Sequence, residues 1–309
     1  MNIAQRMRWI DHPAFGVLIL VLAAVLTWSP DVFGAMHARA FLPQWALFFA
    51  FTALFALYRK RWSLALAAGL ALSMMLFART PTVLTDPDRR GAVGLRIAQM
   101  NVLKANSRYA DVIGAALATG ADVISIQEVG PGLEPWMRDQ LASFYPHMRI
   151  LARADNYGIA LLSKAPFLEA RFVELEGVPV VDAVIASSSG AVRVVSVHTT
   201  SPGNVSQFRE RNAQLIALEQ ILGTSTLPTV LVGDLNTVPW DSAFGRLCRA
   251  AGLHGNHQGI RATWPSFMGL ALIPLDHVLV TSELEVQGLT RFTIPGSDHR
   301  GLVATLRDR

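Results

Sequence analysis

Hydrophobic and polar residues alternate along the 309-residue chain in two different regimes. In the first, charge vanishes over long intervals: between Asp11 and Asp31, between Arg39 and Arg59, and between Arg61 and Arg79. The apolar cores PAFGVLILVLAAVLTW, FLPQWALFFAFTALFALY and WSLALAAGLALSMMLFA each approach the length at which a helix crosses about 30 Å of hydrocarbon. The pattern predicts three transmembrane helices, at about 13–30, 40–58 and 62–78, in a membrane region over 1–79. A cleaved signal peptide fits less well, because the small-x-small triplet Ala38-Arg39-Ala40 lies too far beyond the first run and two more runs follow. The stretch TPTVLTDPDRRGAVG, rich in Pro, Gly and charge, predicts a linker over 80–94.

From 95 to 309 the period changes. LRIAQMNV, ADVISIQE, GIALLSK, VPVVDAVIAS, VRVVSVH, PTVLVGDLN, LDHVLVTS and GLVATL are short, rich in Val, Ile and Leu, and read as strands. SRYADVIGAALATG, GLEPWMRDQLASF and VSQFRERNAQLIALEQIL carry helical spacing. Many strands with a few helices between them predict an α/β domain of two packed sheets flanked by helices.

Charge changes the picture in one respect. The net charge of +4 and pI of 9.6 suggest a polyanion binder. Residues 1–90, however, hold 9 Lys or Arg against 4 Asp or Glu, while residues 91–309 hold 18 against 19. The basic excess belongs to the membrane region. Arg6 and Arg8 before the first run, and Arg59-Lys60-Arg61 between the second and third, predict a cytoplasmic N-terminus and a final domain on the outer side. Arg79, Arg89 and Arg90 pull against that orientation. The single cysteine, Cys248, excludes an intrachain disulfide and a Cys-rich metal site.

Candidate chemistry gathers at the strand ends. In VLVGDLNTVPWDSAF an apolar run opens through Gly233 into Asp234 and Asn236, two apart and therefore on one face of an extended chain. An Asx turn explains the pair equally well. Asn101, Glu128 and His198 end other strands, Asp276 and His277 open one, and Asp298 and His299 precede the last. Each has an ordinary local explanation; their joint recurrence at strand mouths does not. Carboxylates, an amide and two histidines are the parts for phosphoester hydrolysis with a hard divalent ion, which takes oxygen ligands. No HExxH spacing suggests zinc.

The ordered motifs IAQMNV, DVISIQEV, YGIALLSK, VVSVHTTSP, VLVGDLNT, LDHVLV and SDHRGLVATL resemble the endonuclease/exonuclease/phosphatase superfamily, which includes DNase I-like nucleases, sphingomyelinases and inositol-polyphosphate 5-phosphatases. The resemblance covers 95–309. It implies a four-layered α/β sandwich, with two mostly antiparallel sheets between helices and Mg²⁺ or Mn²⁺ as cofactor. It implies Glu128 as main metal ligand, with Asn101 and Asp298 completing the set. Asp234 would activate water, Asn236 would donate to the phosphate, and His198 would stabilise the phosphate or protonate the leaving oxygen. His299 would contact the scissile phosphate, oriented by Asp276. Tyr157, Arg209 and Arg211 are further candidates for substrate contact. The resulting expectation is a membrane-anchored phosphoesterase of the bacterial inner membrane, its catalytic domain periplasmic, acting on lipid head-group or small phosphoesters. A nuclease on extracytoplasmic DNA or RNA, and a catalytically silent membrane sensor or scaffold, are the alternatives.

Overall fold

The computed structural model describes residues 13–77, 93–187, 190–223, 225–255, 261–268 and 270–309. The chain divides into two compact units, Met1–Pro81 with Pro239–Ser242, and Thr82–Val238 with Ala243–Arg309. Most of the predicted linker lies outside the described residues, as do Arg6, Arg8, Arg79, Arg89 and Arg90.

The first unit is helical: α1 (Pro13–Trp28), α2 (Phe33–Ala40), α3 (Leu42–Tyr58) and α4 (Trp62–Phe77). Its core gathers Ile19, Ala23, Leu26, Phe49, Ala71 and Met75. Many large apolar side chains stay exposed, among them Val17, Val21, Phe51, Leu54 and Leu66. The predicted runs are helical, but the expected full-length spans are corrected: α1, α3 and α4 have 16, 17 and 16 residues. At 1.5 Å per residue that is roughly 24 to 26 Å, short of the ~30 Å of a bilayer core. Among the described residues no single helix is long and apolar enough to cross a membrane, although α1 and α2 pass that test as a pair bent by 103°. The causes are local. Pro30 cannot continue α1 and disfavours helix at the residue before it. After α3, Lys60 takes a left-handed φ of 55° while Lys60 N donates to Leu57 O and Arg61 N to Ala56 O, a Schellman closure.

In the second unit, β1 (Val93–Asn101), β2 (Val123–Gln127), β3 (His147–Leu151), β4 (Ile159–Ser163), β10 (Leu284–Thr293) and β11 (Arg300–Asp308) form one sheet, ordered β10-β11-β1-β2-β4-β3. The other sheet is β5 (Phe167–Leu175), β6 (Val178–Ser187), β7 (Gly190–His198), β8 (Thr229–Asp234) and β9 (Asp276–Val280), in that order. Pairs β1–β2 and β7–β8 are parallel and the rest antiparallel. Side chains two apart face the same way. Thus Ile97, Val123, Leu161 and Leu302 meet Val194, Val230 and Val278 between the sheets. The outer face of the first sheet packs on α5 (Tyr109–Ala118) and α6 (Leu133–Gln140) through Met100, Ile124, Val112 and Met137. The second packs on α7 (Val205–Leu222) and α8 (Ser242–Ala250) through Val195, Leu231, Leu218 and Leu247. The layers therefore run helix, sheet, sheet, helix.

Candidate active site

The two central parallel pairs run the same strand ends into one place. Register opposes Asn101 to Gln127 across β1–β2 and His198 to Asp234 across β7–β8, and sets Asp234 opposite Asp276 across β8–β9. A tight backbone makes this possible. Gly233 has φ 147°, and a Cβ there would meet Val197 O at 1.9 Å, so only glycine fits before Asp234.

Asp234 is 1% exposed and accepts at both oxygens: Asn236 N donates to Oδ1 at 2.9 Å, and Asn101 Nδ2 to Oδ2 at 3.0 Å. The Asx turn and the site residue are thus one structure. Asn236 has φ 45°, and its Nδ2 donates to Thr199 O at 2.8 Å. The two histidines stand over the same oxygen, His198 Nε2 at 3.8 Å and His299 Nε2 at 3.7 Å from Asp234 Oδ2. Each is oriented through its other nitrogen. His198 Nδ1 donates to Asn156 O at 3.0 Å, and His299 Nδ1 donates to Asp276 Oδ2 at 2.8 Å.

Burial, then the nearby charge of Asp276, pushes the Asp234 carboxyl up to about 6, against the opposing pull of His299 and His198. At His299 burial opposes the charged ring, but the carboxylates of Asp276 and Asp234 outweigh it and lift the imidazole to about 10. Asp276 is held below the ordinary range because His299 and its hydrogen bonds overcome the cost of burial. Burial pushes His277 down, and its Nε2 donates to Thr237 O at 2.8 Å, so it is a neutral packing residue beside Phe244.

On the first sheet's side, Glu128 takes a left-handed φ of 62°, a strained setting for a residue with a Cβ. Asn101 Nδ2 donates to its Oε1 at 3.0 Å and Lys104 N to its Oε2 at 2.9 Å. Asn101 therefore bridges Glu128 and Asp234, with its Oδ1 accepting from Leu103 N at 3.1 Å. Asp298 Oδ2 accepts from Trp264 Nε1 at 2.9 Å, while its buried Oδ1 has no hydrogen-bond partner among the described residues.

That buried oxygen and the Glu128 carboxylate are donors of the kind a hard divalent ion takes, and Asn101 would add its own oxygen only with the amide turned over, because its Nδ2 faces Glu128 and Asp234 and its Oδ1 accepts from Leu103 N. A second grouping, Asp234, Asp276 and His299, also has donor atoms within 4.8 Å of one another. There, however, Asp276 accepts from Gln99 and from His299, and a protonated imidazole is no ligand; it is a hydrogen-bonded charge relay.

Tyr157 lies against the site, its ring 5.8 Å from that of His198, but its hydroxyl donates to Thr200 Oγ1 at 3.0 Å. Arg209 is exposed. Arg211 is fully buried, with its guanidinium 5.5 Å from the Phe208 ring centroid. The structure adds residues that the strand ends did not mark. Gln99 Nε2 donates to Asp276 Oδ1 at 2.5 Å and to Gln127 Oε1 at 2.9 Å; Gln127 Nε2 donates to Ser125 Oγ, which lies 2.6 Å from Ser196 Oγ. Their signal was visible in IAQMNV and VISIQE, where polar side chains occupy the inward alternate positions of apolar strands. Ser297 Oγ donates to Asn101 O at 2.7 Å and accepts from His299 N, fastening the last loop to β1.

Two histidines and paired carboxylates at one end of a two-sheet α/β core are the apparatus of a phosphoester hydrolase. The chain belongs to the Endonuclease/Exonuclease/phosphatase family, whose model matches residues 98–299. Among solved structures, it is similar to an endonuclease/exonuclease/phosphatase from Beutenbergia cavernae, with 18% identity over 70% of this chain and 72% of that one and a TM-score of 0.57. It is also similar to D. rerio TDP2 complexed with single-strand DNA product, with 18% identity, 70% and 100% coverage and a TM-score of 0.59. The human Nocturnin catalytic domain with bound sulfate shares 17% identity over 70% of this chain and 95% of that one, with a TM-score of 0.55. No curated protein matches the chain.

Proposed function

We propose that the protein is a membrane-anchored phosphodiesterase or phosphatase, dependent on Mg²⁺ or Mn²⁺, that hydrolyses lipid head-group or small phosphoesters. The observation that carries the reading is Asp234, buried and poised near neutrality, with two oriented histidines over the same oxygen. Glu128, Asn101 and Asp298 would hold the cation, which when bound neutralises charge on the phosphate. Asp234 takes a proton from the attacking water, a task suited to a base whose pKa lies near the working pH. His299 stays protonated because of Asp276, and donates from Nε2 to a phosphate oxygen. His198, its Nδ1 proton committed to Asn156 O, presents Nε2 to the phosphate or the leaving oxygen. Water adds to phosphorus as the ester P–O bond breaks; Asp234 holds the proton taken from water, and the leaving oxygen would take its proton from Nε2 of a doubly protonated His198, whose Nδ1 proton stays directed at Asn156 O.

Anchoring draws support from the exposed apolar side chains of the helical unit, since contiguous patches of this kind mark membrane or protein contact. The basic residues flanking the apolar runs support an inner-membrane protein with a cytoplasmic N-terminus and a periplasmic catalytic unit. The near balance of charge over 91–309 favours a small or lipid-borne ester over a polyanion. The test is a screen of the full chain with Mn²⁺ and Mg²⁺ against phospholipids, soluble diesters, DNA and RNA. Turnover of lipid or soluble diester that resists added salt is expected. Selective, steeply salt-sensitive cleavage of nucleic acid would defeat this substrate assignment, and no turnover of any substrate would defeat the enzyme reading.

A further inference from the structure

Beside Asp298 the chain forms a short hairpin closed by the bridges Trp264–Ile273 and Phe267–Leu270. It exposes Phe267, Met268 and Leu270 at 73%, 86% and 72%, with Leu272 also exposed. Nowhere else among the described residues of the second unit do large apolar side chains crowd so closely in sequence while facing solvent. The base of the hairpin is tied to the site, because Trp264 Nε1 donates to Asp298 Oδ2 at 2.9 Å and Ser266 N donates to Asp298 O at 2.6 Å.

The same base is basic. Arg291 Nη1 donates to Ala262 O at 2.8 Å, Arg261 Nε to Leu289 O at 3.3 Å, and Arg300 N to Thr263 O at 2.9 Å. Burial, and then the like charges of Arg300 and Arg261, hold the Arg291 guanidinium below its ordinary value, so the three cations lie within reach of one another. An apolar tip on a base where three arginines gather is complementary to one surface in particular: acyl chains beneath anionic head groups.

We propose that the hairpin between Trp264 and Ile273 seats on a phospholipid surface, with Phe267, Met268 and Leu270 at the head-group and acyl boundary and Arg261, Arg291 and Arg300 against anionic head groups. Surface binding stands on the hairpin alone; delivery of a lipid phosphoester to Asp298 rests on the lipid head-group reading above.

The test places an environment-sensitive NBD label at position 268 (Met268→Cys) in the full chain, with Cys248→Ser to remove the only other thiol. A control label goes at Ser143→Cys, an exposed position two residues from Tyr145, whose hydroxyl donates to Ala121 O at the far end of β2 from Glu128. Both are mixed with phosphatidylcholine vesicles, with and without phosphatidylglycerol, containing doxyl-labelled lipid. Contact with lipid predicts roughly twofold or greater quenching at 268, stronger with phosphatidylglycerol, and little at 143. Equal quenching at both positions, or none at 268, overturns the proposal. A shift at 268 that follows protein concentration rather than lipid would assign the hairpin to a second copy of the chain and overturn it as well. Hydrolysis of the vesicle lipid is read separately, so failure there counts against the substrate reading and leaves the docking result intact.

Discussion

The two sheets contribute unlike halves to one site. From the second sheet come His198, Asp234 and Asp276, at 4%, 1% and 2% exposure, and every oxygen of the two carboxylates accepts a hydrogen bond. From the first sheet and the loop before β11 come Glu128 and Asp298, partly open, with Asp298 Oδ1 unpartnered among the described residues and Glu128 on a strained backbone. A saturated, buried half is built to hold charge and protons in fixed places. A half-open set of oxygens with spare acceptor capacity is built to take something in. On the function proposed above, the site would divide its labour between proton handling and cation holding.

The largest effects should come from cutting each half at its centre, and they should differ in kind. Asp234→Asn removes the base and is expected to lower kcat by about 10³- to 10⁴-fold, with Mn²⁺ affinity changed little and no rescue by excess Mn²⁺. Glu128→Gln is expected to lower kcat/KM by a similar order, but with a weakened Mn²⁺ Kd and partial recovery at high Mn²⁺. Titration calorimetry with Mn²⁺ beside kinetics reads both. If both variants lose Mn²⁺ affinity equally, the division between the halves fails.

The next effect sharpens the proton-handling half. Activity should fall as pH drops through about 6, where Asp234 gains a proton, and fall again as pH rises through about 10, where His299 loses one. Asp276 pushes both values up, because its negative charge disfavours ionisation of Asp234 and favours protonation of His299. Asp276→Asn should therefore move both limbs of the pH profile to lower pH, the basic limb more, with a loss in kcat of about 10²-fold at neutral pH. An unmoved basic limb would separate His299 from the observed titration.

Much of this was legible in the sequence, and the pattern of what was not is instructive. The continuous apolar runs marked interior strands such as β1, β2, β7 and β8, whose side chains are buried on both faces. Strands β3, β5 and β10 gave no such signal. Each lies at a sheet edge with mixed exposure, where one flank meets solvent and nothing forces an apolar run. Helix α8 was also hidden, since SAFGRLCRA is short and six of its nine positions are Ser, Ala, Gly or Arg. The strand-end residues were visible because polar groups interrupt apolar runs there. The Gln99–Gln127–Ser125–Ser196 chain was less so, because an inward polar residue in mid-strand declares its partner only once the other sheet is in place. Helix ends carried the least signal: the runs read as spans over 13–30, 40–58 and 62–78 form helices over 13–28, 42–58 and 62–77, the first closing ahead of Pro30.

Gln99 provides a smaller and more specific test of the buried half. Its amide is the donor on the side of Asp276 away from His299, so Gln99→Met should leave Asp276 one donor short and raise its affinity for a proton. The expected result is roughly a tenfold loss in kcat with KM and Mn²⁺ affinity nearly unchanged, since the altered group acts through Asp276. Gln99→Glu, which removes the donated proton while keeping the shape, should be at least as damaging.

The smallest effect is expected at α7, and the contrast between two arginines two positions apart, on opposite faces of the helix, explains why. Arg209 and Arg211 follow the same strand end and looked alike in sequence. Arg211 is fully buried against Phe208, so its methylenes and guanidinium are part of the packing of α7. Arg209 is exposed on the same helix, where a long cation in water contributes little to stability. Arg209→Ala should therefore change kcat/KM on a soluble diester by less than about twofold and leave Tm within a degree or two. Arg211→Ala should lower Tm by several degrees through lost packing. A large loss in kcat/KM for Arg209→Ala at unchanged Tm would extend the substrate-binding surface onto α7, beyond the two halves set by the sheets.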